Sequence, residues 1–123
     1  MSAWTDVLVV DDEVSLRTSV ADILRAAGYS VIEAEDGQAA LDVLETERVG
    51  VVVLDQRMPR RSGMDVVKAL RSPPAVIMMS AHRIESSDRE LVNDKVFSYL
   101  TKPVPPRLLL DEVAAAYGEG GHS

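Results

Sequence analysis

Five short apolar segments, each followed by a stretch with helical spacing, constrain the fold of this chain more than any other feature. The segments cover residues 7–10, 31–32, 51–54, 75–79 and 96–100. Most are nearly continuous rather than alternating, which is typical of strands covered on both faces of a parallel sheet. Repeated strand–helix alternation predicts an α/β fold with right-handed crossovers.

The intervening segments carry the apolar stripes of helices. The first stripe consists of Leu16, Val20, Ile23, Leu24 and Ala27, and Gly28 is a natural helix stop. The second, third and fifth helices are marked by Leu41 and Leu44, by Val66, Val67 and Leu70, and by Leu109, Val113, Ala116 and Tyr117. The fourth has only Ile84, Leu91 and Val92, with Ser87 and Glu90 as a capping box, so we expect it to be short or loosely held.

Length and composition exclude several classes of protein. A chain of 123 residues is long enough for one domain with a single core. It contains no cysteine, no basic-then-apolar leader and no apolar run that would cross a bilayer, so we expect a cytoplasmic protein with neither disulfides nor a thiolate metal site. The formal net charge of −7 argues against direct binding to nucleic acid.

Acidic residues follow two of the predicted strands at the points where those strands end. Asp11 and Asp12 come directly after the first strand, and Asp55 follows the third. In a five-stranded sheet ordered 2-1-3-4-5 these strands are neighbours at the switch point, where open parallel sheets bind ligands. Like charges about 4 Å apart repel by about 4 kcal/mol at a near-surface dielectric, so a bound cation would relieve the cost. An all-carboxylate set favours Mg²⁺ over zinc or a calcium cage.

Each of these residues also has a simpler structural interpretation. Asp11 and Asp12 are good candidates to cap the first helix. Lys102, after the fifth strand, would reach the acids with its ammonium group, but lysines after strands are commonly solvated. Ser80, at the end of the fourth strand, would offer a hydroxyl to the same site or simply form a turn.

Taken together, these motifs resemble the receiver domain of bacterial two-component response regulators of the chemotaxis-regulator type. The matching motifs are Asp11-Asp12, "DQRMP" from Asp55 with Gly63, "SA" at Ser80, and "YLTKP" at 99–103. The resemblance covers residues 6 to about 117 and implies one receiver domain over 1–123, with a flexible tail at 118–123. It also implies a flavodoxin-like, doubly wound sheet of order 2-1-3-4-5 with five helices.

The resemblance implies a role for each residue of the acidic site. Asp55 corresponds to the phosphoacceptor, which takes a phosphoryl group from a sensor histidine kinase or a phosphotransfer protein. Asp12, Asp55 and the backbone carbonyl of Arg57 correspond to direct Mg²⁺ ligands, with Asp11 holding ion-bound water and Mn²⁺ as an alternative ion. Lys102 would neutralise a phosphoryl oxygen, and the bond before Pro103 would be cis.

The resemblance also implies a conformational switch. Phosphorylation would draw the Ser80 hydroxyl inward and let Tyr99 move from an exposed to a buried position, which reshapes the face of helix four, strand five and helix five. Without the resemblance, Tyr99 is simply a half-buried strand aromatic. Arg57 and His82 occupy positions that would tune the access of water to the phosphoryl group, and so its lifetime.

Two other functions compete with a phosphorylated receiver. An aspartate-nucleophile phosphatase of the haloacid dehalogenase type would need a second acid two residues after the nucleophile, where this chain has Arg57. A receiver-shaped module that only binds a partner is the other alternative. The chain stops just after the fifth helix, so we expect a stand-alone regulator or an excised piece, acting on an unidentified protein target or as a phosphorylation-dependent homodimer.

Overall fold

The computed structural model describes residues 4–58, 61–70, 74–81 and 89–118, without the side chains of 91–93. Strands and helices alternate along the chain. The strands are β1 (Trp4–Val10), β2 (Val31–Ala34), β3 (Arg48–Asp55), β4 (Ala75–Ser80) and β5 (Ser98–Thr101). The helices are α1 (Val14–Ala26), α2 (Gly37–Thr46), α3 (Gly63–Ala69), α4 (Arg89–Lys95) and α5 (Pro106–Ala116).

All five strands pair in parallel in one sheet of order β2-β1-β3-β4-β5, which confirms the predicted order. In the register, Val10 at the end of β1 lies between Ala34 of β2 and Leu54 of β3. The residues that follow β1 and those that end β3 therefore emerge side by side. This pairing sets the position of the acidic site.

The sheet is buried on both faces, and alternate residues of each central strand serve different layers. In β1, Val7 and Val9 pack with α1 and α5, whereas Leu8 and Val10 pack with α2 and α3. The same alternation runs through β3 and β4. Burial on both faces explains why these strands are continuous apolar runs in the sequence.

The predicted elements differ from the structure mainly at their ends. Ala27 does not belong to the buried stripe of α1; it is the exposed C-cap residue, and Ala21 is buried instead. Gly28 follows with φ +101°, a left-handed conformation that suits the predicted helix stop. The fifth strand begins at Ser98, two residues later than predicted. Ile84 and Ser87 lie outside the described residues, so the predicted capping box of α4 stays a prediction.

A cluster of hydrogen bonds and ring contacts connects the end of α5 to β1, at the end of the sheet away from the acidic site. The Tyr117 hydroxyl donates to Asp6 Oδ1 of β1 at 2.7 Å, and the backbone N–H of Ser30 donates to Asp6 Oδ2 at 2.8 Å. The Tyr117 ring meets Tyr29 edge to face at a centroid distance of 5.7 Å. The cluster holds α5 against β1 at the end of the sheet away from the acids.

Candidate functional site

Three carboxylates converge at the carboxyl ends of β1 and β3. Oxygen atoms of Asp11, Asp12 and Asp55 all lie within 4.8 Å of one another. Asp11 and Asp55 are buried, with 1% and 6% of their surface exposed, whereas Asp12 is exposed. The predicted convergence of the three acids is thus present in the structure.

Lys102 brings a positive charge into the same crevice. It follows β5, and its backbone N–H donates to the carbonyl of Ser80 at 2.7 Å, which ties the end of β5 to the end of β4. Its Nζ atom lies 2.7 Å from Asp55 Oδ1 and 3.5 Å from Asp11 Oδ2. The peptide bond between Lys102 and Pro103 is cis, as predicted. The ammonium therefore reaches the acids instead of being solvated away from them.

Burial and charge act on Asp55 and Lys102 in opposite directions. Burial raises the pKa of Asp55, and the neighbouring Asp11 and Asp12 charges raise it further, against the lowering effect of Lys102. Burial by itself would lower the pKa of Lys102, but its contacts with Asp55 and Asp11 outweigh that effect and raise it. Lys102 thus offsets only part of the cost of ionising Asp55.

Most polar atoms of Asp11 form a hydrogen bond within the protein. Its backbone N–H donates to the Ala34 carbonyl at 3.2 Å, and its Oδ1 accepts from the backbone N–H of Glu13 at 2.9 Å. Its Oδ2 is buried and accepts no hydrogen bond within the described chain, since 3.5 Å to Lys102 is a charge contact only. Glu13, not Asp11 or Asp12, is the N-cap residue of α1 and makes no side-chain cap bond. Helix capping therefore does not account for the acid pair.

The loop after Asp55 is closed by the backbone and side chain of Gln56. Its N–H donates to the Met79 carbonyl at 3.0 Å, and its carbonyl accepts from Gly63 at 2.9 Å. Its side-chain Oε1 accepts from the Met64 N–H in the first turn of α3 at 2.8 Å. A Cβ atom on Gly63 would lie 2.7 Å from the Asp55 carbonyl oxygen, so only glycine fits there without displacement.

Ser80, Tyr99 and Arg57 are the other predicted site residues that the structure describes. Ser80 ends β4 and is buried, with 2% of its surface exposed. Tyr99 of β5 is half-buried and packs against the core layer of α2 and α3. Arg57 lies two residues after Asp55 with an exposed side chain. His82 lies outside the described residues, so its tuning role stays a prediction.

The chemistry of the donors at this site fits Mg²⁺. The cluster offers carboxylate oxygens alone, the ligands that this hard ion prefers. Asp11 Oδ2 is a buried acceptor that lacks a hydrogen bond in the described structure, and a metal-bound water would supply one. The exposed Asp12 leaves one side of the cluster open to solvent, as an ion that keeps several waters requires.

The fold and this site define the chain as a doubly wound α/β protein with an acidic, lysine-paired centre at the switch point of its sheet. A family profile described as the response regulator receiver domain matches residues 7–114. The chain belongs to the response regulator receiver domain family, as its motifs predicted. It is a receiver domain of the kind that serves signalling in two-component systems.

Relatives and solved structures agree with this assignment. The chain is 39% identical to the alkaline phosphatase synthesis transcriptional regulatory protein PhoP of Bacillus subtilis over 82% of this chain and 43% of that protein. It is 36% identical to the sensory transduction protein RegX3 of Mycobacterium tuberculosis over 95% of this chain and 52% of that protein. The chain thus spans about half the length of the curated relatives it matches.

The structural neighbours cover nearly the whole fold. The chemotaxis protein CheY4 of Vibrio cholerae superposes with a TM-score of 0.82 at 30% identity, over 94% of this chain and 99% of that one. The receiver domain of the Francisella response regulator 1452 superposes with a TM-score of 0.84 at 29% identity, over 93% and 97%. No helix within the described residues is long and apolar enough to span a membrane.

Two residues that support the site are not predicted from the sequence. Gln56 belongs to the DQRMP motif, and its side-chain Oε1 accepts a hydrogen bond from the first turn of α3. The Nη1 atom of Arg17 donates to the Asp11 carbonyl at 3.0 Å. The available signal was helical spacing, because Arg17 precedes the fully buried Ala21 and Leu24 by four and seven residues.

Proposed function

We propose that this chain receives a phosphoryl group on Asp55 from the phosphohistidine of a sensor histidine kinase or phosphotransfer protein. The observation that carries the proposal is the position of Asp55. Its buried carboxylate belongs to the acid cluster and also contacts the Lys102 ammonium at 2.7 Å. Phosphoryl transfer requires a positioned nucleophile and nearby positive charge. Asp55 lies beside the Lys102 ammonium and beside carboxylates that would hold a metal ion.

In this reaction an Asp55 oxygen forms a bond to phosphorus while the phosphorus–nitrogen bond of the donor histidine breaks. The bonding electrons return to the imidazole, so nothing is oxidised or reduced. Lys102, already beside Asp55, would donate to a phosphoryl oxygen as the new bond forms. Hydrolysis of the aspartyl phosphate releases phosphate and restores the Asp55 carboxylate, so the chain acts as a phosphoacceptor that promotes only its own phosphorylation and hydrolysis.

Mg²⁺ would be held by Asp12, Asp55 and the Arg57 backbone carbonyl, with Asp11 binding an ion-coordinated water; Mn²⁺ is the alternative ion. The bound ion supplies positive charge that neutralises the phosphoryl oxygens. Support comes from the all-oxygen donor set and from the buried Asp11 oxygen without a hydrogen bond in the described structure. In the absence of the ion, Lys102 offsets part of the negative charge of Asp11 and Asp55.

The phosphoryl signal would leave the site through Ser80 and Tyr99. Ser80 is buried at the end of β4 and its carbonyl already binds the Lys102 backbone, so a shift at Ser80 is transmitted to the end of β5. Tyr99 is half-buried, an intermediate position from which burial can increase. The output is a change of the face of α4, β5 and α5, read by a protein target or a second copy of the chain.

Arg57 and His82 would set how long the phosphoryl group persists. The Arg57 side chain is exposed and follows the acceptor by two residues, a position from which it would limit the approach of water.

Residues 6–117 form the proposed receiver core within a single domain. We place the protein in the cytoplasm, where a histidine kinase would deliver its phosphoryl group, and propose no direct contact of this chain with nucleic acid.

The experiment treats the purified chain with acetyl phosphate and MgCl₂ and locates added mass by peptide mass spectrometry. We expect one phosphoryl group on the peptide that contains Asp55, dependent on Mg²⁺ and absent from Asp55→Asn. Asp65→Asn, at an exposed acid of α3, is the control that retains the modification. Steady phosphate release from many different phosphate esters would favour a phosphatase instead, and no Mg²⁺-dependent modification would favour a module that only binds a partner.

A further inference from the structure

Arg17 connects the acidic site to β2. Its Nε lies 3.1 Å from Glu33 Oε1 on β2, and its Nη1 donates to the backbone carbonyl of Asp11 at 3.0 Å. The side chains of Arg17 and Glu33 are 15% and 24% exposed, so the pair is largely shielded from solvent. A planar guanidinium held at two edges has little freedom, and the Asp11 carbonyl is held with it.

The Asp11 carbonyl belongs to the peptide unit that joins Asp11 to Asp12. The direction of that unit sets where the Asp12 side chain leaves the backbone. The hydrogen bonds of Asp11 to Ala34 and Glu13 fix its amide and one carboxylate oxygen, and Lys102 makes a charge contact with the other oxygen. Among the described residues, Arg17 supplies the hydrogen bond that fixes the Asp11 carbonyl, and so the turn that presents both carboxylates.

We propose that Arg17 is a positioning residue for the divalent-ion site, because its guanidinium, held by Glu33, fixes the Asp11–Asp12 peptide unit and through it the two carboxylates. The inference rests on the proposed Mg²⁺ site and adds to it a residue that contributes no ligand. Residues that orient ligands without binding the ion typically contribute about 10–100-fold in metal affinity.

Charge and positioning make opposite predictions for the loss of Arg17. If Arg17 acted only through its positive charge, its removal would make the site more negative and Mg²⁺ would bind more tightly. If Arg17 acts by holding the Asp11 carbonyl, its removal loosens the turn and Mg²⁺ binds more weakly. The sign of the change in affinity thus separates the two roles.

Arg25 provides a matched control on the same helix. It also pairs with Glu33, at 3.3 Å, but its other contacts are the Val31 carbonyl at 3.1 Å and the Asp22 carboxylate at 3.8 Å; within the described structure it makes no hydrogen bond or ion pair with Asp11. Arg25→Met removes one positive charge and one contact of Glu33 and leaves the Asp11 carbonyl bound to Arg17. An effect on Mg²⁺ affinity that came only from lost charge or from general packing of α1 should appear in both Arg17→Met and Arg25→Met. Solvent screening weakens the charge effect for Arg25, which is the more exposed of the two.

The experiment measures Mg²⁺ affinity of the unphosphorylated full chain by calorimetric titration. Carbonyl and amide NMR shifts of Asp11 and Asp12 are recorded without the ion. We expect Arg17→Met to weaken Mg²⁺ binding by about tenfold, with altered Asp11 carbonyl and Asp12 amide shifts. Arg25→Met should change the affinity less than about twofold, as for a screened surface charge. Arg17→Lys keeps the charge but cannot hold both acceptors at once, so its affinity should fall between those of wild type and Arg17→Met.

The outcomes separate this inference from the proposed function. Unchanged or tighter Mg²⁺ binding in Arg17→Met, with wild type binding normally, would overturn the positioning role and leave the phosphoacceptor proposal standing. Wild type that binds no Mg²⁺ would overturn both. If Arg17→Met does not fold, as judged by circular dichroism, Arg17→Lys decides, because an affinity equal to wild type would then show that charge alone matters.

Discussion

The Lys102 ammonium lies 2.7 Å from Asp55 Oδ1, so the proposed phosphoacceptor already has a cationic partner before any ion binds. The same ammonium lies 3.5 Å from Asp11 Oδ2. Lys102 therefore holds two of the three acids and competes with a divalent ion for them. We therefore expect Lys102 to weaken ion binding but to speed phosphoryl transfer.

Replacing Lys102 by methionine tests that opposition. We expect Mg²⁺ to bind about tenfold more tightly, because a competing positive charge has left the crevice. Phosphorylation by acetyl phosphate at saturating Mg²⁺ should slow by about a hundredfold, because a charge-stabilising donor is lost. Calorimetric titration and the rate of mass gain measure the two effects. Lys68→Met, at an exposed position of α3, should change neither. Weaker Mg²⁺ binding in Lys102→Met would contradict the competition.

The raised pKa of Asp55 predicts how stability depends on pH without Mg²⁺. The folded protein binds the Asp55 proton more tightly than the unfolded chain, whose carboxyl has an ordinary pKa of 3.8. The contribution of Asp55 to stability is therefore fully present below that pKa and is lost as the pH rises through the raised folded value. We expect Asp55→Asn to become increasingly more stable than wild type over this range.

Urea unfolding at a series of pH values from about 4 to 8 measures the difference in unfolding free energy between Asp55→Asn and wild type. This range begins near the ordinary pKa of a carboxyl group. Asp111→Asn, which alters an exposed acid on α5, controls for the loss of one negative charge. Adding Mg²⁺ should narrow the gap between wild type and Asp55→Asn, because the ion stabilises the folded state that binds it. A stability difference that does not grow with pH would refute the role assigned to burial of Asp55.

Gly63 predicts a coupling between the packing of α3 and the acidic site. A methyl group there would meet the Asp55 carbonyl at 2.7 Å, so Gly63→Ala should cost about 1–3 kcal/mol in unfolding free energy. It should also weaken Mg²⁺ binding, since the Asp55 backbone must move. Gly28→Ala is the comparison: with φ +101° and open space around it, it should cost about 1 kcal/mol and leave Mg²⁺ binding unchanged. Equal Mg²⁺ affinity in the two variants would count against the coupling.

Tyr117 predicts a stabilising contact that fails at alkaline pH. Burial and the bond to Asp6 raise the pKa of Tyr117, so its contribution is present below the ordinary tyrosine pKa of 10.0 and is lost as the pH rises through the raised value. Tyr117→Phe should lower the unfolding free energy by about 1 kcal/mol at pH 7, through loss of the hydrogen bond. Urea unfolding at neutral and alkaline pH measures both effects. Tyr29→Phe keeps the ring contact and should change stability less; an equal loss in both variants would argue against the Asp6 bond.

The sequence allowed the fold and the site centre to be predicted for a physical reason. Strands buried on both faces must be continuously apolar, so their ends show where the chain reaches solvent. In this chain, Asp11 and Asp55 stand at those ends, and the parallel sheet brings them together. The supporting residues could not be predicted in this way. Gln56 accepts a hydrogen bond from the backbone of Met64, eight positions later, and Arg17 donates one to the backbone carbonyl of Asp11.

By itself, the sequence determined the alternation of strands and helices and the strand ends that carry the acids. These follow from local patterns, because periodicity and strand ends are properties of neighbouring residues. The strand order and the family were predicted from the resemblance of the combined motifs to receiver domains. Only the tertiary structure decided that Lys102 contacts Asp55 rather than solvent, that Glu13 and not Asp11 occupies the helix N-cap, and that Asp11 retains one buried oxygen without a hydrogen bond in the described chain. Such contacts depend on the relative placement of separate strands and helices, which no local pattern specifies.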